Sequence, residues 1–213
     1  VHRFRGVRKP GAKRTDGNET VLVQGARVSN ASVNRDLALI SAALNRLVRH
    51  GALDRNPATL VRRGREPKHT RAVLSKDECR RLLDACDPHL RLLSLAMLTT
   101  GARPGELMAV RWRDLSFDDQ TIQITRTKVG NSDRLPMHPK LAEELATVRE
   151  QRAVERHGTV GQREHVFLSS QGKPNWDHRW SWKKAVEAAG LGDREKLSLY
   201  SLRHSFATHY LEH

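Results

Sequence analysis

Three basic residues lie in sequence settings that suit phosphate chemistry. Arg103 lies in the stretch LTTGARPGEL, residues 98–107, and Arg203 follows 100 residues later in the run LRHSFATH. Paired guanidiniums can neutralise the nonbridging oxygens of a phosphodiester through fixed, bidentate donors. Lys128, in the polar stretch ITRTKVGNSDRLPM, could give a proton to a leaving 5′-oxygen if neighbouring cations lower its pKa. The pattern therefore favours phosphodiester cleavage.

Each of these residues also has a structural interpretation. An arginine in a Gly-Pro turn and a lysine in a polar hairpin are ordinarily solvated surface residues. Arg203 could bond a carboxylate such as Glu106, and Glu106 could be a first-turn acid that favours a helix N-terminus. The order of the three motifs and their flanking residues favour the functional interpretation over the structural one.

Taken together, the motifs resemble the active site of the tyrosine recombinase (phage integrase) family. The resemblance implies that Arg103 and Arg203 bind one phosphate and that Lys128, on a β-hairpin, is a general acid. It implies that Glu106 orients an active-site group rather than reacting, and that His204 helps to orient the phosphate-binding arginine. We expect the two arginines to face a common basic cleft, in which only a bound anion relieves their mutual repulsion. Neither a metal nor a cofactor is implied.

Two features depart from the family's pattern. The family usually has a histidine three residues before the second arginine, where this chain has Tyr200. A phenol can donate a hydrogen bond to phosphate, but its free pKa near ~10 makes it a poor general base at neutral pH. The family's nucleophilic tyrosine falls beyond His213. Because Tyr200 occupies another role and Tyr210 lies on the apolar stripe of a helix, we expect no nucleophile within these 213 residues.

The composition indicates a polyanionic partner. Lys and Arg number 38 against 24 Asp and Glu, a net charge of +14, which fits double-stranded DNA or an anionic membrane surface. Residues 1–71 hold sixteen basic and five acidic side chains, a net +11. This stretch would supply phosphate contacts, or residues 1–25 form a solvated, partly disordered basic tail. No run reaches the ~18 apolar residues of a membrane span and no signal peptide opens the chain, so we expect a soluble, cytoplasmic protein.

Hydrophobic periodicity predicts a helix in the N-terminal third. Its apolar stripe has Ser32 as a plausible N-cap and Gly51 just past the end, and consists of Val33, Leu37, Ile40, Leu44, Leu47 and Val48. A charged stretch with Gly and Pro then reads as a linker. We expect residues 1–63 to form part of a helical core-binding domain, 64–72 the linker, and 73–213 part of an integrase-type catalytic domain.

The remainder predicts a mainly α fold with one small antiparallel sheet (α+β). A capping box begins at Ser75, and a helix opening at Pro88 is apolar on most sides, so it should be buried and end at Gly101. Pro104 opens a short helix with Arg103 at its N-terminus. Period-two segments predict strands at 115–117, 122–124 and around 135. Helices are predicted over 139–156, 177–189 and from 201, and the last includes His209 as a core histidine. Cys79 and Cys86 are predicted to be small core residues on one helix face.

The sequence therefore favours a fragment of a site-specific DNA recombinase that acts on double-stranded DNA and assembles as a tetramer when full length. The resemblance places it in the bacterial cytoplasm, nucleoid-associated and encoded by a bacterium or a phage. Type IB topoisomerases share the active-site logic, but the flanking sequence favours the integrase. A non-catalytic relative or truncated product, which occupies DNA sites without cutting, is the alternative.

Overall fold

The computed structural model describes residues 14–16, 19–21, 28–66, 72–125, 132–194 and 197–211. The chain divides into two compact units, Val1–His69 and Thr70–His213. In the described parts the fold is mainly helical, as the sequence predicts, with the predicted three-stranded antiparallel sheet and a second, two-stranded one. Among the described helices, none has both the length and the apolar character needed to cross a bilayer.

The first unit combines a short hairpin with one long helix. Strands β1 (Arg14–Asp16) and β2 (Glu19–Val21) pair antiparallel, a hairpin that the sequence analysis did not predict. Helix α1 (Asn30–Arg49) begins three residues earlier than expected, because Ser29 rather than Ser32 accepts the first-turn N–H and is the N-cap. A short 3-10 helix follows at Pro57–Leu60.

Two buried asparagines hold the chain that follows α1 against the helix. Asn34 donates to the Gly64 carbonyl at 2.8 Å and accepts the Gly64 N–H at 3.0 Å. Asn56 donates to the Ser41 carbonyl and to Asn45 Oδ1. Asn34 thus satisfies both backbone groups of Gly64, which lies outside any helix, and Asn56 ties the start of the 3-10 helix to α1. Part of the predicted apolar stripe of α1, including Ile40 and Leu47, is nevertheless exposed within the described structure.

The second unit is built around the buried helix α3. Helices α2 (Lys76–Ala85), α3 (Pro88–Thr100) and α4 (Pro104–Met108) precede a three-stranded sheet, and α5 (Pro139–Glu155), α6 (Arg179–Ala188) and α7 (Leu199–Leu211) follow it. Helix α3 packs against α2, α4, α5 and α7. Because it is apolar on most sides, it lies inside the unit instead of presenting one face to water.

The sheet has the order β3-β4-β5, with β3 at Leu115–Ser116, β4 at Thr121–Thr125 and β5 at Ser132–Pro136. All pairs are antiparallel, and Ile124 lies opposite Asp133. Ile122 and Ile124 are buried, whereas Gln123 and Thr125 on the other face are exposed. This alternation is the period-two pattern expected of a strand that faces the core on one side.

Helix ends follow the predicted signals closely. Ser75 and Glu78 form both hydrogen bonds of a capping box, and Gly101 ends α3 with a left-handed backbone. Cys79 is buried as predicted, but Cys86 is the C-cap of α2 and lies beyond its helical face. Burial raises the pKa of both thiols to about 11.

We expect Gly101→Ala to destabilise the second unit more than Gly190→Ala. Both glycines follow a helix with left-handed φ, 63° and 68°, so alanine at either costs roughly 1–2 kcal/mol. A Cβ on Gly101 would lie 2.3 Å from a Phe206 ring carbon, whereas one on Gly190 would meet Arg81 Nη1 at 3.7 Å. The overcrowding should add about 1–3 kcal/mol. Equal losses in the free energy of unfolding, measured in urea, would contradict this.

Candidate active site

The turn between α3 and α4 places Arg103 at the start of a helix. Gly101 N–H donates to the Met97 carbonyl, and Ala102 N–H donates to Thr100 Oγ1 at 3.2 Å. The chain then enters α4 with Arg103 as its N-cap residue and Pro104 in the first turn. Proline suits that position because its fixed φ matches the helix and its missing N–H is not needed there.

Glu106 is the buried anion of the site. Its Oε2 accepts the backbone N–H of Arg103 at 2.9 Å, and its Oε1 accepts from the Arg103 guanidinium at 2.6 Å. The Glu106 side chain is 7% exposed, whereas that of Arg103 is 43% exposed. The carboxylate therefore lies beneath the guanidinium and holds it at the surface of the unit.

Arg203, near the C-terminal end of the sequence, contacts the same turn between α3 and α4. It lies on α7, and its Nη1 donates to the carbonyl of Gly101. Arg203 also lines a cavity of about 180 Å³ together with Glu106, Ile124, Asp133 and Phe206. The structure thus bonds Arg203 to the turn that carries Arg103 and places it in the lining of the same cavity as Glu106.

Electrostatics link the three residues. Burial raises the pKa of Glu106, but hydrogen bonds from the Arg103 backbone and guanidinium, with the positive charges of Arg103 and Arg203, outweigh it and lower that pKa below its ordinary value of 4.5. The two arginines thus share a buried counter-charge. This corrects the expectation that only a bound anion relieves their repulsion: Glu106 does so within the chain.

The remaining predicted residues have different surroundings. Tyr200 lies three residues before Arg203 on α7, on the same side of the helix, and is 50% exposed. His204 is partly buried on α7. Lys128 lies outside the described residues, in the connection between β4 and β5, and its position stays a prediction. His209, predicted to be a core histidine, is partly buried, and its Nε2 lies 2.9 Å from the Leu74 carbonyl.

Asp133, which lines the cavity, was not among the residues predicted from the sequence. A signal was present: Asp133 precedes Leu135 by two residues, so strand alternation puts its carboxylate on the same face as an apolar side chain. In the described ranges, His, Cys, Asp and Glu side chains form no group of three or more that could hold a metal ion.

The second unit is helical with a small sheet, and it holds Arg103 against the buried Glu106 carboxylate and Arg203 against the Gly101 carbonyl beside one cavity. The sequence profile described as the phage integrase family matches residues 72–213. The chain therefore belongs to the phage integrase family of tyrosine recombinases.

Individual relatives agree with this assignment. The tyrosine recombinase XerC of Xanthomonas axonopodis pv. citri is 28% identical over 190 residues, which cover 87% of this chain and 60% of the relative. The present chain thus spans about three fifths of that protein.

Solved structures of lambda integrase share the fold. A lambda integrase dimer bound to a COC′ core site has a TM-score of 0.65 at 22% identity, and covers 85% of this chain and 67% of its own. A lambda integrase tetramer bound to a Holliday junction has a TM-score of 0.60 at 18% identity, over 88% and 62% of the two chains. At these identities the likeness is one of fold.

We expect the Glu106 carboxylate to stabilise the second unit most at neutral pH. Because the folded pKa of Glu106 is lowered, its contribution is present above the ordinary value of 4.5 and is lost as the pH falls through the folded pKa. The difference in unfolding free energy between the wild type and Glu106→Gln should therefore shrink from pH 7 to pH 3.

Glu187→Gln is the matched control for this measurement. Glu187 forms an exposed i,i+4 ion pair with Lys183 on α6, so its removal should cost less than about 0.5 kcal/mol at either pH. A Glu106→Gln deficit that is as large at pH 3 as at pH 7 would show that the carboxylate charge does not stabilise the site.

Proposed function

We propose that this chain is part of a site-specific DNA recombinase and binds the scissile phosphate of double-stranded DNA. The observation that carries the proposal is that Arg203 and Glu106 line one cavity, with Arg103 bonded to Glu106 and Arg203 bonded to the Gly101 carbonyl. Guanidiniums held by a buried counter-ion are preorganised donors, so they stabilise negative charge that develops on phosphate oxygens without having to reorganise.

The proposed reaction is an exchange of phosphodiester bonds. A tyrosine hydroxyl attacks phosphorus, the bond from phosphorus to the 5′-oxygen breaks, and a 3′-phosphotyrosyl bond forms, which conserves the energy of the diester. Lys128 supplies the proton that the leaving 5′-oxygen needs, and the phenolic proton passes to solvent. Rejoining reverses these steps with a different 5′-hydroxyl.

The nucleophile is proposed to be a tyrosine C-terminal to His213. Tyr200 lies beside Arg203 on α7 and is suited to donate a hydrogen bond to the phosphate in the role that a histidine has elsewhere in the family. His204 is proposed to help orient Arg203. The full-length protein is proposed to work as a tetramer on DNA, by analogy with the lambda integrase tetramer on a Holliday junction.

The domain assignment is part of the same proposal. Residues 1–63 would be part of a core-binding domain that grips DNA with the catalytic domain, 73–213, and residues 64–72 would be the linker between them. The charge distribution supports this division of labour, because residues 1–71 carry a net +11 while 72–213, with 22 basic and 19 acidic residues, carry a net +3.

Arg203→Ala in the full-length protein should reduce cleavage of a nicked target site by about 10²–10³-fold, the loss typical of one preorganised donor to transition-state charge. Arg80→Ala, which removes an exposed arginine of α2, is the matched control and should cleave normally. Rates are measured in single turnover, with trapped covalent adduct as the product. A wild-type rate in Arg203→Ala would exclude the proposed role.

The adduct also identifies the nucleophile. The full-length protein with Tyr200→Phe should still form a covalent 3′-phosphotyrosyl adduct, although more slowly. An adduct formed by residues 1–213 alone, and abolished by Tyr200→Phe or Tyr210→Phe, would place the nucleophile within this chain. If the full-length protein binds its target but forms no adduct under any condition, the non-catalytic alternative is correct.

The chain should bind duplex DNA with an affinity that falls steeply as salt rises. Each phosphate neutralised by Lys or Arg releases counterions, so the logarithm of the binding constant should fall by about 0.9 per contact for each unit in the logarithm of salt concentration. Fluorescence anisotropy of a labelled duplex at several salt concentrations measures this slope. A flat response would count against an interface made with phosphates.

A further inference from the structure

The segment by which the chain enters the second unit is bonded to the helix that carries Arg203. Leu74 N–H donates to Ser205 Oγ at 2.8 Å, and the Leu74 carbonyl lies 2.9 Å from His209 Nε2. Arg194 also donates to the adjacent Val73 carbonyl at 2.8 Å. The Leu74 side chain is fully buried. Both backbone groups of one residue are therefore fixed by α7, more than 130 positions further along the chain.

The chemistry of these bonds fixes the donors. A carbonyl can only accept, so His209 must carry its proton on Nε2 to bond Leu74. Ser205 is fully buried and uses its hydroxyl in both directions, accepting from Leu74 and donating to the Ser201 carbonyl at 2.9 Å. Loss of the Ser205 hydroxyl would deprive the buried Leu74 N–H of this acceptor. Loss of the His209 ring would leave the Leu74 carbonyl with the weak contact from Cys79 Sγ at 4.0 Å.

Ser205 and His209 lie on the side of α7 opposite Arg203. At about 100° per residue, Ser205 is about 200° and His209 about 240° around the helix from Arg203. They are four residues apart and so form one patch. On the other side, Arg203 donates to the Gly101 carbonyl and Phe206 contacts Gly101. Helix α7 is thus bonded to Leu74 on one face and to the turn that carries Arg103 on the opposite face.

We propose that Ser205 and His209 are positioning residues for Arg203, with Leu74 as their fixed anchor. They set the rotation of α7 about its axis, and this rotation decides whether the Arg203 guanidinium reaches the Gly101 carbonyl and the cavity that Glu106 lines. The proposal rests on the proposed function, in which Arg203 binds the scissile phosphate. It gives the residues that enter the second unit a direct influence on a phosphate-binding side chain.

The test compares two nicked DNA substrates cleaved by the full-length protein. One has an ordinary scissile phosphate and the other a methylphosphonate, in which a methyl group replaces one nonbridging oxygen and removes the negative charge. Misplacement of the Arg203 guanidinium should lower the cleavage rate more on the phosphate, whose negative charge must be neutralised, than on the uncharged methylphosphonate. A variant that only unfolds more readily loses active molecules, so its rates on both substrates fall by the same factor.

His209→Phe keeps a ring but removes the donor, and should lower the phosphate rate about 10–100-fold, as expected for a small misplacement of a positioned group. Its methylphosphonate rate should fall much less, so the ratio of the two rates moves toward that of Arg203→Ala. Ser205→Ala, which changes little volume, should move the ratio in the same direction. His209→Gln, whose amide can still donate to Leu74, should restore part of the ratio.

Leu145→Ala is the control for simple destabilisation, because Leu145 is a fully buried residue of α5 that takes no part in these bonds. It should lower both rates equally and leave the ratio at the wild-type value. If His209→Phe and Ser205→Ala also leave the ratio unchanged while Arg203→Ala shifts it, the positioning role is wrong and the proposed function stands. If Arg203→Ala itself does not shift the ratio, the proposed function fails.

Discussion

The buried carboxylate of Glu106 is the interaction on which the site depends. Burying a charge costs several kcal/mol unless it is paired and hydrogen-bonded, and this one accepts from the Arg103 backbone, binds the Arg103 guanidinium and lies within the field of Arg203. The end of α3 and the start of α4 position Arg103, and the packing of α7 positions Arg203. Without this carboxylate, Arg103 would lose its ion-pair partner, and Asp133 would be the remaining acidic side chain among the described residues that line the cavity.

Local signals in the sequence predict most of the second unit, because its helix ends are set by short-range chemistry. Ser75 with Glu78, Pro88, Gly101 and Pro104 each act within one helical turn. The first unit was harder to predict. The cap of α1 is Ser29 instead of Ser32, since both are serines close to the predicted start and the pattern of apolar residues does not choose between them.

The site was predictable only in part, because some of its contacts join residues that are far apart in the sequence. The types and order of Arg103, Glu106 and Arg203 indicate phosphate chemistry. Arg103 bonds Glu106 within one helical turn, whereas the bond of Arg203 to the Gly101 carbonyl joins residues about a hundred positions apart and is a tertiary property. The bonds of Ser205 and His209 to Leu74 span more than 130 residues. No periodicity or motif reports a contact between a backbone group and a side chain so far apart.

The charges of the site suit a transition state better than a ground state. Arg103 and Arg203 are balanced by the carboxylates of Glu106 and Asp133. Lys128 would add the one positive charge that matches the single negative charge of a phosphodiester. In the proposed reaction, negative charge builds up on the leaving oxygen as its bond to phosphorus breaks, and Lys128 would meet that charge with a proton. A site without Glu106 would hold the diester more tightly before reaction, and such uniform binding does not lower the barrier. The buried carboxylate thus limits ground-state attraction while it fixes the donors that the transition state needs.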